Sequence, residues 1–184
     1  MISVKVSEAT EDYPIKTVFF EDSDIGRARS IFIPSKIMYL DKHGNFICEE
    51  VVIINRINRT FRMSIYAGDW YDLVAYSEHT SDKNTTCAVN YILNNGDFKV
   101  MSSSLTEYKE NPFGLKVSNF DMNGQLLFYN LLDCQHNTSK YYDRNHNEII
   151  SFGDFLYEYG GIYKTIANIT SELKNLAIEK YKDN

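Results

Sequence analysis

Phe61, Met63 and Ile65 are apolar where Arg62 and Ser64 are polar, the period of two that buries one face of a strand. Val89, Tyr91 and Leu93 repeat that alternation, and Asn94-Asn95-Gly96-Asp97 follows before Phe98 and Val100 resume it. An Asn-Gly pair tolerates the positive φ angles of a type I′ turn, so a hairpin is expected there. Asp121-Met-Asn123-Gly124 predicts a second turn, between Val117–Phe120 and Gln125–Phe128, and Asp41-Lys-His-Gly44 a third, between Ile37–Leu40 and Asn45–Cys48. A looser copy begins at Asp143. The starts keep no constant period, so shared turn chemistry explains them better than an internal repeat. Continuous apolar runs at 51–54 and 31–33 predict strands buried on both faces, the second ended by Pro34.

Beyond residue 150 the period changes. Ile162, Ile166, Ile169, Leu173 and Leu176 recur at steps of four and three, with Lys164, Asn168, Glu172 and Asn175 between them, which predicts an amphipathic helix. Gly160-Gly161 separates it from a shorter helix expected around Phe152–Tyr159, for which Ser151 and Asp154 supply a capping pair. Lys109–Gly114 is the best linker candidate but is too short to impose a boundary. The pattern predicts a single domain over 1–184, β-rich through 1–150 and helical within 152–181. The class is α+β: a mainly antiparallel sheet, curved or folded into a sandwich, closed by the C-terminal amphipathic helix. That helix most simply packs on the sheet. Its strict four-three seam also suits a homodimer through the C-terminal helix.

Composition narrows the function classes. With 43% hydrophobic and 24% charged residues over 184 positions, the chain is built to fold. Its formal net charge of −6 disfavours nucleic acid and anionic membrane, which both need clustered cations. No apolar run approaches the ~20 residues of a membrane span, and no secretory leader pattern opens the chain. Cys48, Cys87 and Cys134 stand far apart with no CxxC, as expected of free thiols in a reducing cytoplasm.

Tyrosine is the unusual component, 14 residues beside 11 Phe and one Trp. The densest aromatic stretch holds Tyr66, Trp70, Tyr71 and Tyr76, with Arg56, Arg59 and Arg62 just before it. Trp, Tyr and Arg carry most interface energy when exposed, so these seven residues are the candidate partner-binding set. With no P-loop, G-x-S-x-G elbow, H-E-x-x-H helix or G-x-G-x-x-G turn present, binding is favoured over catalysis. The expected protein is an inhibitor or immunity-type factor recognising a more basic protein partner, whose approach the acidic charge would speed.

Two rival chemistries have residues to stand on. Asp143, Asn145, Asn147, Ser151 and Asp154 fall at positions 1, 3, 5, 9 and 12 of a calcium loop, and over this dozen residues the segment resembles an EF-hand loop. Glu148 stands where the template has glycine, and no second loop accompanies it. The resemblance implies calcium held by Asp143, Asn145, Asn147 and Asp154; a turn followed by a helix cap is the competing reading. The other rival is a small hydrolase-like enzyme with a noncontiguous site drawing on His79, Cys134 or His136. A zinc site from Cys134, His136, Asp143 and His146 would need spacings that match no standard closed site.

Overall fold

In the computed structural model, the described residues are 2–11, 13–22, 36–55, 60–110, 113–149, 159 and 163–179. Among them run twelve strands: β1 (Ile2–Ser7), β2 (Ile15–Asp22), β3 (Lys36–Asp41), β4 (Phe46–Asn55), β5 (Thr60–Ala67), β6 (Asp72–Ser81), β7 (Thr85–Asn94), β8 (Asp97–Glu110), β9 (Phe113–Phe120), β10 (Leu126–Asp133), β11 (Thr138–Asp143) and β12 (Glu148–Ile149). One helix, α1 (Ile166–Glu179), follows. The strands form a meander in sequence order that does not close, so the class is α+β with a mainly antiparallel sheet and a C-terminal helix. No described helix is long and apolar enough to cross a membrane.

The turns have the chemistry their sequences dictate. Asn95 (φ 53°) and Gly96 (φ 88°) are both left-handed, as a type I′ turn between β7 and β8 requires. At the β3–β4 turn, Asp41 Oδ1 accepts the His43 and Asn45 N–H groups at 2.8 and 2.9 Å, and Oδ2 accepts Asn45 Nδ2 at 2.8 Å. At the β11–β12 turn, Asp143 Oδ1 accepts Asn145 and Asn147 N–H groups, both at 2.8 Å, and Oδ2 accepts Asn147 Nδ2 at 2.8 Å. Asp121 repeats the backbone half of the arrangement with Asn123 and Gln125. The fourth residue of each turn is left-handed: Gly44 at φ 87°, Gly124 at φ 76° and His146 at φ 68°. A Cβ on either glycine would touch nothing, so the constraint there is dihedral and not steric crowding.

Two compact units emerge, one of Met1–Ile54, Arg62–Tyr76 and Ile166–Asn184, the other of Asn55–Phe61 and Ser77–Thr165. In the first, the register sets Ile15 opposite Asp41, Thr17 opposite Tyr39, and Tyr39 opposite Cys48, so these share one sheet face. That face is buried, and α1 packs there: Ile166, Ile169 and Thr170 are buried, and Lys174 Nζ lies 4.6 Å from the Tyr39 ring centroid. The apolar stripe of α1 is covered only at its start, since Leu173 is half-buried and Leu176 is 58% exposed.

In the second unit the buried face is polar. Asn90, Ser102 and Asn119 are buried on the face that also carries Ala88 and Phe128, with Phe128 under Tyr159 and Tyr163 at 5.0 and 5.3 Å. Asn90 Nδ2 donates to Ser102 Oγ at 3.1 Å, and Ser102 donates to the Lys164 carbonyl, so the polar groups satisfy one another.

Three expectations are corrected. Val89, Tyr91 and Leu93 are not the buried side of β7; Ala88 and Asn90 are, because the Asn-Ser pair supplies hydrogen bonds that an apolar contact would not. The 51–54 run is not buried on both faces: α1 covers the face of Val52, and Ile53 is 57% exposed. Lys109–Gly114 is a hairpin connection between β8 and β9, paired from Glu110 to Phe113, and not a linker. The 31–33 run and the expected Phe152–Tyr159 helix lie outside the described residues except at Tyr159, as do Ile162, Ser151 and Asp154.

The matched turns allow a direct comparison. Asp41 is buried, so Asp41→Ala is expected to lower unfolding free energy by about 2 kcal/mol, from stranded turn N–H groups. Asp143→Ala, in the exposed copy, is expected to cost clearly less, and urea denaturation of both variants measures the difference.

Candidate functional site

The site is built from the β5–β6 turn, Gly68-Asp69-Trp70-Tyr71, whose Tyr71 N–H donates to the Gly68 carbonyl at 3.2 Å. Gly68 (φ 81°) suits its left-handed position, whereas Tyr71 holds φ 57° with a bulky ring. What holds Tyr71 there is visible. Its ring stacks on Tyr66 at 4.8 Å with an interplanar angle of 5°, and lies 5.7 Å from Phe46. Its hydroxyl donates to Glu49 Oε1.

Glu49 is the anchor of this arrangement. Only 1% exposed, it lies on the face of β4 opposite α1, and its Oε2 is 2.6 Å from Lys36 Nζ. That contact neutralises the carboxylate without a directed hydrogen bond, leaving the Tyr71 hydroxyl as the oriented donor. Lys36 in turn sits over the Phe20 ring at 4.9 Å. A buried carboxylate needs both a cation and a hydrogen bond to remain inside. Burial, followed by the hydrogen bond to Glu49, raises the Tyr71 phenol above its ordinary value and keeps it a donor.

The turn presents what it holds. Trp70 is 87% exposed, the most exposed of the large apolar residues among those described. Gly68 and Asp69 of the same turn line an open groove of about 450 Å³ together with Phe46, Ile47 and, from α1, Leu173, Leu176 and Ala177. Asp41 and Asn45 complete the rim, with Asp41 already engaged in its own turn. Asp69 and Asp72, both exposed, carry no hydrogen bond or ion pair among the described residues.

Of the partner-binding set, the structure brings Tyr66, Trp70 and Tyr71 to this turn. Arg62 and Tyr76 form a separate pair, with the guanidinium carbon 4.1 Å from the ring centroid. Arg62 lies four residues back along β5, roughly 13 Å from Tyr66 at strand rise, and Tyr76 is on β6. Arg56 and Arg59 lie outside the described residues. Sequence reasoning missed Phe46, Ile47, Asp69 and the Glu49–Lys36 pair. Two adjacent glutamates in a strand, Glu49 and Glu50, were the available signal: alternation sends them to opposite faces of the sheet.

The rival chemistries are dispersed. Asp143 spends both carboxylate oxygens on its own turn, and the hydrogen bonds from Asn147 hold its acid below the usual range. Asp154 lies outside the described residues. His79 Nε2 is 2.9 Å from Ser77 Oγ, and burial lowers its basicity, but Ser77 is 1% exposed and offers a substrate no approach. His136 Nδ1 contacts Asp133 Oδ2 at 2.8 Å in an exposed turn, while His146 Nδ1 contacts the Tyr129 hydroxyl at 3.1 Å. Among the described residues, no group of three His, Cys, Asp or Glu side chains is placed to hold a metal ion.

No family model matches the sequence, and no curated protein matches it. Among solved structures, the chain is similar to a protein of unknown function from Bacteroides fragilis NCTC 9343, with a TM-score of 0.35 and 9% identity, over 82% of this chain and 94% of that one. A likeness of that size carries no argument.

Under α1, Cys48 is fully buried, while Cys87 and Cys134 are exposed. Burial first, then the charge of Glu50, push the Cys48 thiol from 9.0 up to about 12, with Lys174 opposing. The folded chain therefore keeps this proton where the unfolded chain releases it. The contribution is complete below pH 9 and is lost as pH rises towards 12. Denaturation midpoints should fall over that range, and less steeply in Cys48→Ala. Ellman's reagent should titrate Cys87 and Cys134 in the folded chain and reach Cys48 only on unfolding.

Proposed function

We propose that this protein is a non-enzymatic protein-binding module of the cytoplasm, an inhibitor or immunity-type factor that recognises a more basic protein partner through the β5–β6 turn and its groove. The observation that carries the reading is Trp70, 87% exposed on a turn whose neighbouring tyrosine is fixed by a buried carboxylate. A lone indole in water is ordinary. One mounted on a left-handed tyrosine, beside an apolar groove, has the features of a preorganised contact, because ordering costs are met before binding. Large aromatic anchors next to a pocket are where interface energy concentrates. The net charge of −6 favours encounter with a basic surface. The three free cysteines suit a reducing compartment.

Affinity capture from native extract tests this with Trp70→Ala as the control, since removing an exposed ring leaves stability within about 0.5 kcal/mol. The expected result is a basic protein retained by the wild-type chain, with retention weakened by roughly thirtyfold in the variant, the loss typical of a binding hot spot. Elution of the wild-type chain alone at monomer size, or equal retention by the variant, contradicts the proposal.

A further inference from the structure

Resting on the protein-binding reading, we infer that the partner element recognised at this site is a segment in which an arginine adjoins an apolar residue, the apolar side chain entering the groove and the guanidinium stacking on Trp70 beside Asp69. Two sets of observations converge on that chemistry. Most of the groove lining is apolar, including Phe46, Ile47, Leu173 and Leu176, and its volume of about 450 Å³ suits side chains rather than a folded element. The adjoining turn is anionic and aromatic. Asp69 and Asp72 bracket Trp70 in sequence, both exposed and both without a partner among the described residues. The Trp70 ring itself has no ring contact or hydrogen bond among the described residues, so its face is open.

An open indole face attracts a cation more strongly than any other aromatic ring does, and two carboxylates beside it add to the same field. Arginine fits better than lysine, because a planar guanidinium can lie on the ring and still direct N–H donors sideways to a carboxylate. An anionic ligand such as nucleic acid is repelled by the same pair. Symmetric pairing of two copies through this face would bring Asp69 and Asp72 against their own equivalents, so a second copy fits poorly.

The test titrates the full chain with three capped pentapeptides of central sequence Leu-X-Phe, in which X is arginine, lysine or the neutral isostere citrulline. Trp70 is the only tryptophan in the chain, so its fluorescence reports the site directly, with calorimetry as the second readout. The arginine peptide is expected to bind about fivefold or more tightly than the citrulline peptide, with lysine between them. Replacing both acids, Asp69→Asn with Asp72→Asn, is expected to bring the arginine and citrulline peptides within about twofold while leaving the melting temperature unchanged. Equal binding of arginine and citrulline peptides to the wild-type chain overturns the inference and leaves the groove reading standing. No binding of any peptide at millimolar concentration overturns both.

Discussion

A carboxylate buried to 1% exposure is the constraint on which the candidate site depends. Glu49 cannot stay inside the first unit alone; taking its charge from water costs several kcal/mol unless partners replace the solvent. Lys36 supplies the charge and Tyr71 the hydrogen bond, so the demand of one side chain fixes two others. Tyr71 is thereby held in a backbone region its ring disfavours, and the stack on Tyr66 adds to the hold. Trp70, next to it in the chain, is 87% exposed.

The second determinant is where α1 stops covering its sheet. Ile166 and Ile169 are buried and Thr170 donates to Glu50 at 2.6 Å, so the start of the helix is tied to β4 by both packing and a hydrogen bond. Further along, Leu173 and Leu176 keep the apolar spacing without the cover. The groove is that surplus of helix over sheet, met from the other side by Phe46 and the Gly68 turn. A stripe that first suggests packing on a sheet or pairing with a second helix does the former with its first half. Its second half lines the surface that the proposed partner would use.

The meander was legible because its turns are written in local chemistry: Asn95-Gly96 with two left-handed residues, and Asp41, Asp121 and Asp143 each capping its own turn. The Asp143 stretch resembled a ligand series for the same reason, since the Asp143 carboxylate here accepts the Asn145 and Asn147 N–H groups and the Asn147 side-chain amide. Which side of each strand is buried was not legible. Pleat alternation assumes an unbroken register, yet shifts occur at Tyr39/Leu40, Asn90/Tyr91 and Leu126/Phe128. It also assumes an apolar interior, whereas Asn90 and Ser102 are buried as a mutually bonded pair. The site was half legible for a related reason. Trp70 and Tyr71 stand out by residue type, but Glu49 and Phe46 matter through contacts with Tyr71, which for Glu49 is 22 residues away in sequence.

The most direct measurement of the central claim is a double-mutant cycle between Glu49→Gln and Tyr71→Phe, with urea unfolding followed through Trp70 fluorescence. If the Glu49 carboxylate holds the turn through the Tyr71 hydroxyl, the two changes are coupled by about 1 kcal/mol or more. Changes that add to within about 0.3 kcal/mol would show that the turn stands independently of Glu49, and would remove the physical basis for treating Trp70 as a fixed contact.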